Sequence, residues 1–163
     1  MEIERALIEI LQQDAKIDTS VLAHMFGRSE EEIKSAIKKL EDDGTILRYS
    51  ALINTENLPE EEYAEAIIAL KVTPEREYGY DDIARKVYKF PEVSAVYLIS
   101  GSYDLQVKVV AKSMRAISRF VGEKIAVLNG VSGTETMFIM KKYKQYGCVL
   151  AEDEKEERLV VTA

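Results

Sequence analysis

The sequence is short of the residues that most metal, disulfide and catalytic chemistry requires: its 163 residues include one Cys, one His and no Trp. A single thiol, Cys148, excludes an intrachain disulfide framework, and with His24 it leaves too few soft ligands for a zinc cage. Cys148 has no evident base, and His24 has no second His or carboxylate at metal or triad spacing, so a packing or surface role fits it best. Paired catalytic carboxylates, a Gly-rich phosphate loop and metal-ligand spacings are all missing, so no enzyme activity, metal or cofactor is expected. No apolar run approaches the roughly 20 residues needed to span a bilayer, and the first residues are acidic rather than basic. A cytoplasmic protein with no membrane partner is expected. Positive charge is also scarce, with 22 Lys and Arg against 29 Asp and Glu, a net charge of −7 and a pI of about 4.9. That balance opposes nucleic acid, whose binders usually carry a basic footprint.

What is present is a clear change of hydrophobic period. Ile3, Leu7, Ile10 and Leu11, then Val21, Leu22 and Met25, then Ile33, Ala36, Ile37 and Leu40 recur at helical spacing. Three short helices fit. Asp18, Thr19 and Ser20 offer N-caps to the second, and Gly27 supplies the positive φ that its C-terminal turn needs. Ser29 with Glu32 is a capping box that starts the third helix at Glu30, and Gly44 stops it. Thr45 to Ile53 then suits a short strand. The polar, Pro-containing run from Thr55 to Glu62 reads as a linker.

Beyond the linker the period becomes two. Ala66, Ile68, Leu70 and Val72 define a strand closed by Pro74, and Ile83, Ala84, Val87 and Tyr88 one side of a helix ended by Pro91. Strands over Val93 to Ser100 and Leu105 to Ala111 flank a turn, Ser100-Gly101-Ser102-Tyr103-Asp104. A helix over Ser113 to Leu128 and a strand over Val131 to Met140 complete a βαββαβ order, the ferredoxin-like split βαβ sandwich. The fold class is therefore α+β: a helix-turn-helix domain of winged-helix type over residues 1–50, a hinge strand and linker over 51–62, a βαββαβ domain over 63–146, and an acidic extension over 147–163. Within that extension Glu152 to Arg158 reads as a solvated helix or linker, and Leu159 to Thr162 as a short strand. Strand two is apolar on both sides, with Val93, Ala95, Tyr97 and Ile99 against Val96 and Leu98, and strand four sets Phe138 and Met140 against Met137 and Ile139. The sheet face away from its helices then needs a cover, either a second copy packed sheet on sheet or the N-terminal helices.

On the third helix, Ile33, Ile37 and Leu40 face inward, which leaves Glu31, Lys34, Ser35, Lys38 and Asp42 outward at 100° per residue. In a helix-turn-helix this outer face enters the major groove. Lys34, Lys38 and Ser35, with Glu31 beside them, are the candidate readers, and Arg28, Ser29 and Lys39 flank them where phosphates would lie. Glu30, Glu31 and Glu32 suit the helix dipole. In the second domain, Gly101 opens the turn to a partner or small ligand, and Tyr103 and Asp104 offer a hydroxyl and a carboxylate; Thr134 and Thr136 alternate onto one side of the last strand.

These residues also carry a resemblance. Leu11 to Ile17, Leu22-Ala23, Gly27-Arg28-Ser29, Ile37, Leu40-Glu41, Gly44, Ile46, Tyr49-Ser50-Ala51 and Asn54 resemble the N-terminal domain of the Lrp/AsnC (leucine-responsive, feast/famine) regulators, and Ser100 to Leu105 resembles their Gly-Asp-Tyr-Asp turn. Gly130-Val131 with Thr134 and Thr136 resembles the start of their last core strand, so the likeness spans residues 1 to about 146. The resemblance implies a DNA-binding helix-turn-helix, homodimers that can assemble into octamers of four dimers, and an effector, commonly an amino acid, bound near Gly101, Tyr103 and Asp104 with Thr134 and Thr136. Ser102 replaces the first Asp of the turn, and Glu30-Glu31-Glu32 replaces the small, Pro-containing helix start often found in the family. Two other classes share the architecture: a metabolite-sensing module that binds protein instead of DNA, and an enzyme like the sirohaem decarboxylases.

Overall fold

The computed structural model describes residues 2–57, 63–73 and 79–150. The chain divides into two compact units, residues 1–53 and 54–163.

The first unit consists of α1 (Glu2–Leu11), α2 (Thr19–Phe26) and α3 (Glu30–Asp42). Leu7, Leu22, Ala23 and Ile33 form its core, with Ile3, Ile10, Ile17, Phe26, Ala36 and Ile37 packed around them. Gly27 sits in the left-handed region at φ 60°, and Arg28 N–H there donates to the Ala23 carbonyl at 3.0 Å, closing α2. The expected capping box is formed: Ser29 Oγ accepts from the Glu32 amide at 3.2 Å, and the Glu32 carboxylate accepts from the Ser29 amide at 2.9 Å. Two expectations fail. Val21 and Met25 are exposed, because α2 turns Leu22 and Ala23 inward instead. Residues 45–54 form no strand: a strand needs a neighbouring backbone, none among the described residues pairs with this segment, and Leu47 is left 89% exposed.

The second unit opens with a 3-10 turn, Thr55–Asn57, and contains β1 (Ala64–Val72), α4 (Tyr80–Val87), β2 (Val93–Leu98), β3 (Leu105–Ala111), α5 (Met114–Phe120), β4 (Val131–Phe138), and a small hairpin, β5 (Lys144–Gln145) with β6 (Cys148–Val149). The main sheet is antiparallel in the order β2-β3-β1-β4, as a ferredoxin-like sandwich requires. Ala66, Ile68, Leu70 and Val72 of β1 are buried with Leu105, Val107 and Val109 of β3 beneath Ile83 and Val87 of α4 and Ile117, Phe120, Val121 and Ile125 of the second helix. Alternation on β1 thus holds as read, and β3 shows the same pattern.

Other details differ. Tyr88 is 56% exposed, because α4 ends at Val87 and the chain turns toward Pro91. The second helix changes from α to π geometry at Val121–Ile125, with Ala126 N–H donating to the Val121 carbonyl at 2.8 Å. The wider turn carries Ile125 onto the core and leaves Lys124 at the rim, where it pairs with Glu92 at 2.7 Å and lies over the Phe90 and Phe120 rings. A register shift between Val93 and Ala95 puts Val93 on the helix side with Val96, so β2 is not apolar in two regular rows. Met140 lies beyond the end of β4 and is exposed. Pro74, the linker from Leu58 to Glu62 and both readings for the acidic tail lie outside the described residues.

The sheet face opposite the helices carries a buried carboxylate. Glu65, 4% exposed, pairs with Lys108 Nζ at 2.5 Å and with Lys142, and accepts from the Tyr63 hydroxyl at 3.1 Å. Burial raises the carboxyl pKa, but the two ammonium groups outweigh it and hold the group below the usual range. Burial and the Glu65 charge push the Tyr63 phenol up to about 12. Glu65→Gln is expected to lower unfolding free energy by roughly 2–3 kcal/mol, less than for a fully buried pair because Lys108 is a quarter exposed. Since the folded pKa is depressed, this contribution is present above the ordinary value of 4.5 and fades as pH falls through the folded value. Urea unfolding at pH 7 and pH 3 checks both: the gap between wild type and variant shrinks at the lower pH.

Candidate functional site

The first candidate site is the outer face of α3. Packing of Ile33 and Leu40 inward, with Ala36 and Ile37 partly covered, leaves Glu31, Lys34, Ser35, Lys38 and Asp42 exposed along one face, as the helical spacing requires. The cations there are not bare. Lys34 Nζ lies 2.9 Å from Glu30, Lys38 Nζ 3.4 Å from Asp42, Arg28 Nη1 3.4 Å from Glu32, and Lys39 Nζ 2.6 Å from Glu4. Hydrogen bonding and charge from Glu30 hold the Lys34 ammonium above its usual pKa, and Glu4 does the same for Lys39. The Glu30 and Glu32 carboxylates are correspondingly lowered, the first by Lys34 and the second chiefly by the Ser29 amide. Sequence reading located the cations but not these partners, although three of the four pairs stand at i and i+4. Lys39–Glu4 joins α3 to α1 and needs the fold to be seen.

Pairing does not disable such a face. Exposed ion pairs contribute only about 0–1 kcal/mol each, so a phosphate can displace a carboxylate at small cost. Ser29 is committed to the cap, its hydroxyl also donating to Glu32 at 3.2 Å, which leaves it little freedom for another role.

The second candidate site is the turn between β2 and β3. Gly101 has φ 148° and open space where a Cβ would stand. Asp104 anchors the turn to β1: its N–H donates to the Leu70 carbonyl at 2.9 Å, and its carboxylate accepts from the Val72 amide at 2.8 Å and lies 3.4 Å from Lys71 Nζ. The Val72 amide and then Lys71 keep that carboxyl below its usual pKa. The Tyr103 hydroxyl interacts with the Glu135 carboxylate on β4, which raises the phenol.

Register separates the remaining candidates. Thr134 pairs with Leu70 and Thr136 with Ile68, so both point to the helix side of the sheet. Glu135 pairs with Ala69 and Lys71 with Gly133, which puts Glu135 and Lys71 on the opposite side. Gly101, Tyr103 and Asp104 therefore come together with Lys71 and Glu135, whereas Thr134 and Thr136 stand across the edge strand β4. Lys71 and Glu135 were missed because a lone Lys in a strand and a Glu between two Thr carry no motif; the alternation of β1 and β4 was the available signal.

Known proteins show the same organisation. Residues 2–46 match the winged helix-turn-helix DNA-binding family, and residues 65–149 match the Lrp/AsnC ligand binding domain. The chain is 40% identical over 161 residues to the HTH-type transcriptional regulator YugG of Bacillus subtilis, covering 99% of this chain and 97% of that one. Its fold is shared by the leucine response regulatory protein LrpA of Mycobacterium tuberculosis, at TM-score 0.75 and 24% identity, covering 93% and 99% of the two chains. A transcriptional regulator of Neisseria meningitidis, solved as its L-Met complex, aligns at TM-score 0.71 and 23% identity over 89% and 92%. These relatives are transcriptional regulators, not enzymes, which sets aside a decarboxylase-like role. With a helix-turn-helix unit and a βαββαβ ligand-binding unit in this order, the chain belongs to the Lrp/AsnC family of transcriptional regulators.

Proposed function

We propose that this regulator reads duplex DNA with Lys34, Lys38, Ser35 and Glu31 of α3 in the major groove, while Arg28, Lys39 and the Ser29 turn contact phosphates. The observation that carries this reading is the exposed α3 face, held outward by Ile33 and Leu40 and rich in lysine in an otherwise acidic unit. Residues 1–50 contain 7 basic and 11 acidic side chains, so a single copy attracts DNA weakly and several copies must act together. A cytoplasmic homodimer, able to assemble into an octamer of four dimers, provides those copies. Tyr97 and Met137, exposed on the sheet face opposite the helices, support pairing through that face.

The turn at Gly101 is the effector site in this reading, and an amino acid is the effector class. Lys71 can face a carboxylate, Asp104 and Glu135 an ammonium, and the open Gly101 backbone lets a ligand approach closely. The Neisseria meningitidis neighbour bound to L-Met supports the class. Thr134 and Thr136 would join this site only from across β4, at the edge of the sheet. Binding there would change dimer spacing and hence the fit of paired helix-turn-helix units to successive half-sites.

Lys34→Ala with Lys38→Ala is expected to weaken binding to the gene's upstream DNA and to flatten the slope of log affinity against log salt by about one per lysine removed per bound copy. Unchanged affinity and slope would instead favour the protein-binding module. Tyr103→Phe removes the hydroxyl that interacts with Glu135 and is expected to weaken amino-acid binding by roughly threefold to tenfold in calorimetry, with DNA affinity in the absence of effector unchanged.

A further inference from the structure

The α3 face contains a feature that phosphate attraction does not explain. Of the three carboxylates in the first turn, Glu30 pairs with Lys34 and Thr19, and Glu32 closes the capping box and pairs with Arg28. Glu31 makes no hydrogen bond or ion pair among the described residues; only its field reaches Lys34. It stands on the same exposed stripe as Ser35 and Lys38, one turn before Ser35, at the end of α3 that meets base edges when such a helix enters the groove.

We infer that Glu31 is a specificity-determining residue that demands a cytosine at one position of each half-site. This rests on the placement of α3 in the major groove proposed above. An ionised carboxylate only accepts hydrogen bonds. Phosphates repel it, and the N7 and O6 of guanine and the O4 of thymine are themselves acceptors, so none of them can satisfy it. Only the exocyclic amino groups of cytosine and adenine donate in the major groove. Adenine N6 lies beside the N7 lone pair, which pushes against a second acceptor; cytosine N4 has only a C–H beside it. Guanine and thymine leave a desolvated carboxylate without a partner, adenine offers a donor only beside a repelling lone pair, and those penalties are what discriminate. Ser35 both donates and accepts, so it tolerates more than one base and leaves discrimination to Glu31.

The test is selection of binding sites from a randomised duplex library by the full-length protein at pH 8. Wild type should enrich a C·G pair at one fixed position per half-site. Glu31→Gln should move that position toward adenine, which an amide can meet at N6 and N7 together, and Glu31→Ala should leave it degenerate. On the selected site, replacing that C·G by T·A should weaken wild type about tenfold or more and Glu31→Ala far less. Glu31 is exposed, so both variants should keep the wild-type unfolding midpoint. Identical motifs in wild type and both variants would overturn the inference, as would non-specific duplex binding with no enriched motif. Loss of duplex binding altogether would instead overturn the groove placement on which it rests.

Discussion

Strand β1 is the constraint on which the ligand-binding unit depends. It is bonded on both sides, to β3 and to β4, along most of its length, and its helix-facing row of Ala66, Ile68, Leu70 and Val72 is almost fully removed from water. Four apolar side chains at period two decide which face the helices cover, and a slip of one residue would put Glu65, Ile67, Ala69 and Lys71 there instead. The same strand fixes the candidate turn. Asp104 is bound at both its backbone and its carboxylate to Leu70 and Val72, and Lys71 between them lies on the face opposite the helices. Packing and site geometry are thus two faces of one element, and Glu65 at its start ties the opposite face to Lys108 and Lys142.

The helix-turn-helix unit works under a different constraint, charge. Its excess of acid looked like an argument against DNA, yet the excess is arranged in pairs: Glu30, Asp42, Glu32 and Glu4 each hold a cation of the candidate interface. In the proposed placement of α3, DNA binding becomes an exchange of carboxylate for phosphate around each cation. Exchange yields less free energy than the capture of phosphate by an unpaired lysine, because the carboxylate left behind repels the DNA. Modest affinity per copy, steep salt dependence and reliance on assembly follow from the same four pairs.

Much of this was legible in the sequence because it is local. The capping box of Ser29 and Glu32, the αL turn at Gly27, the inward Ile33 and Leu40, and the alternating β1 need only neighbours within a few residues. What escaped needed register or a partner. The bulge between Val93 and Ala95 moved Val93 to the helix side, the π turn at Val121–Ile125 is invisible to a 3.6-residue template, and residues 45–54 have strand chemistry but no backbone to pair with among the described residues. At the candidate effector turn, Gly101, Tyr103 and Asp104 stood out by composition. Lys71 and Glu135, which meet them, became apparent only once β1 and β4 were aligned, and that alignment also set Thr134 and Thr136 apart on the other side of the sheet.

Coupling between the turn and the DNA-reading helix is the central claim, and binding to the gene's own upstream DNA, titrated with and without each amino acid while oligomer size is followed, measures it most directly. At least one amino acid should shift DNA affinity by about 5- to 150-fold, the range of typical allosteric coupling, with a change in assembly size or half-site spacing. Affinity and size indifferent to every amino acid would contradict it.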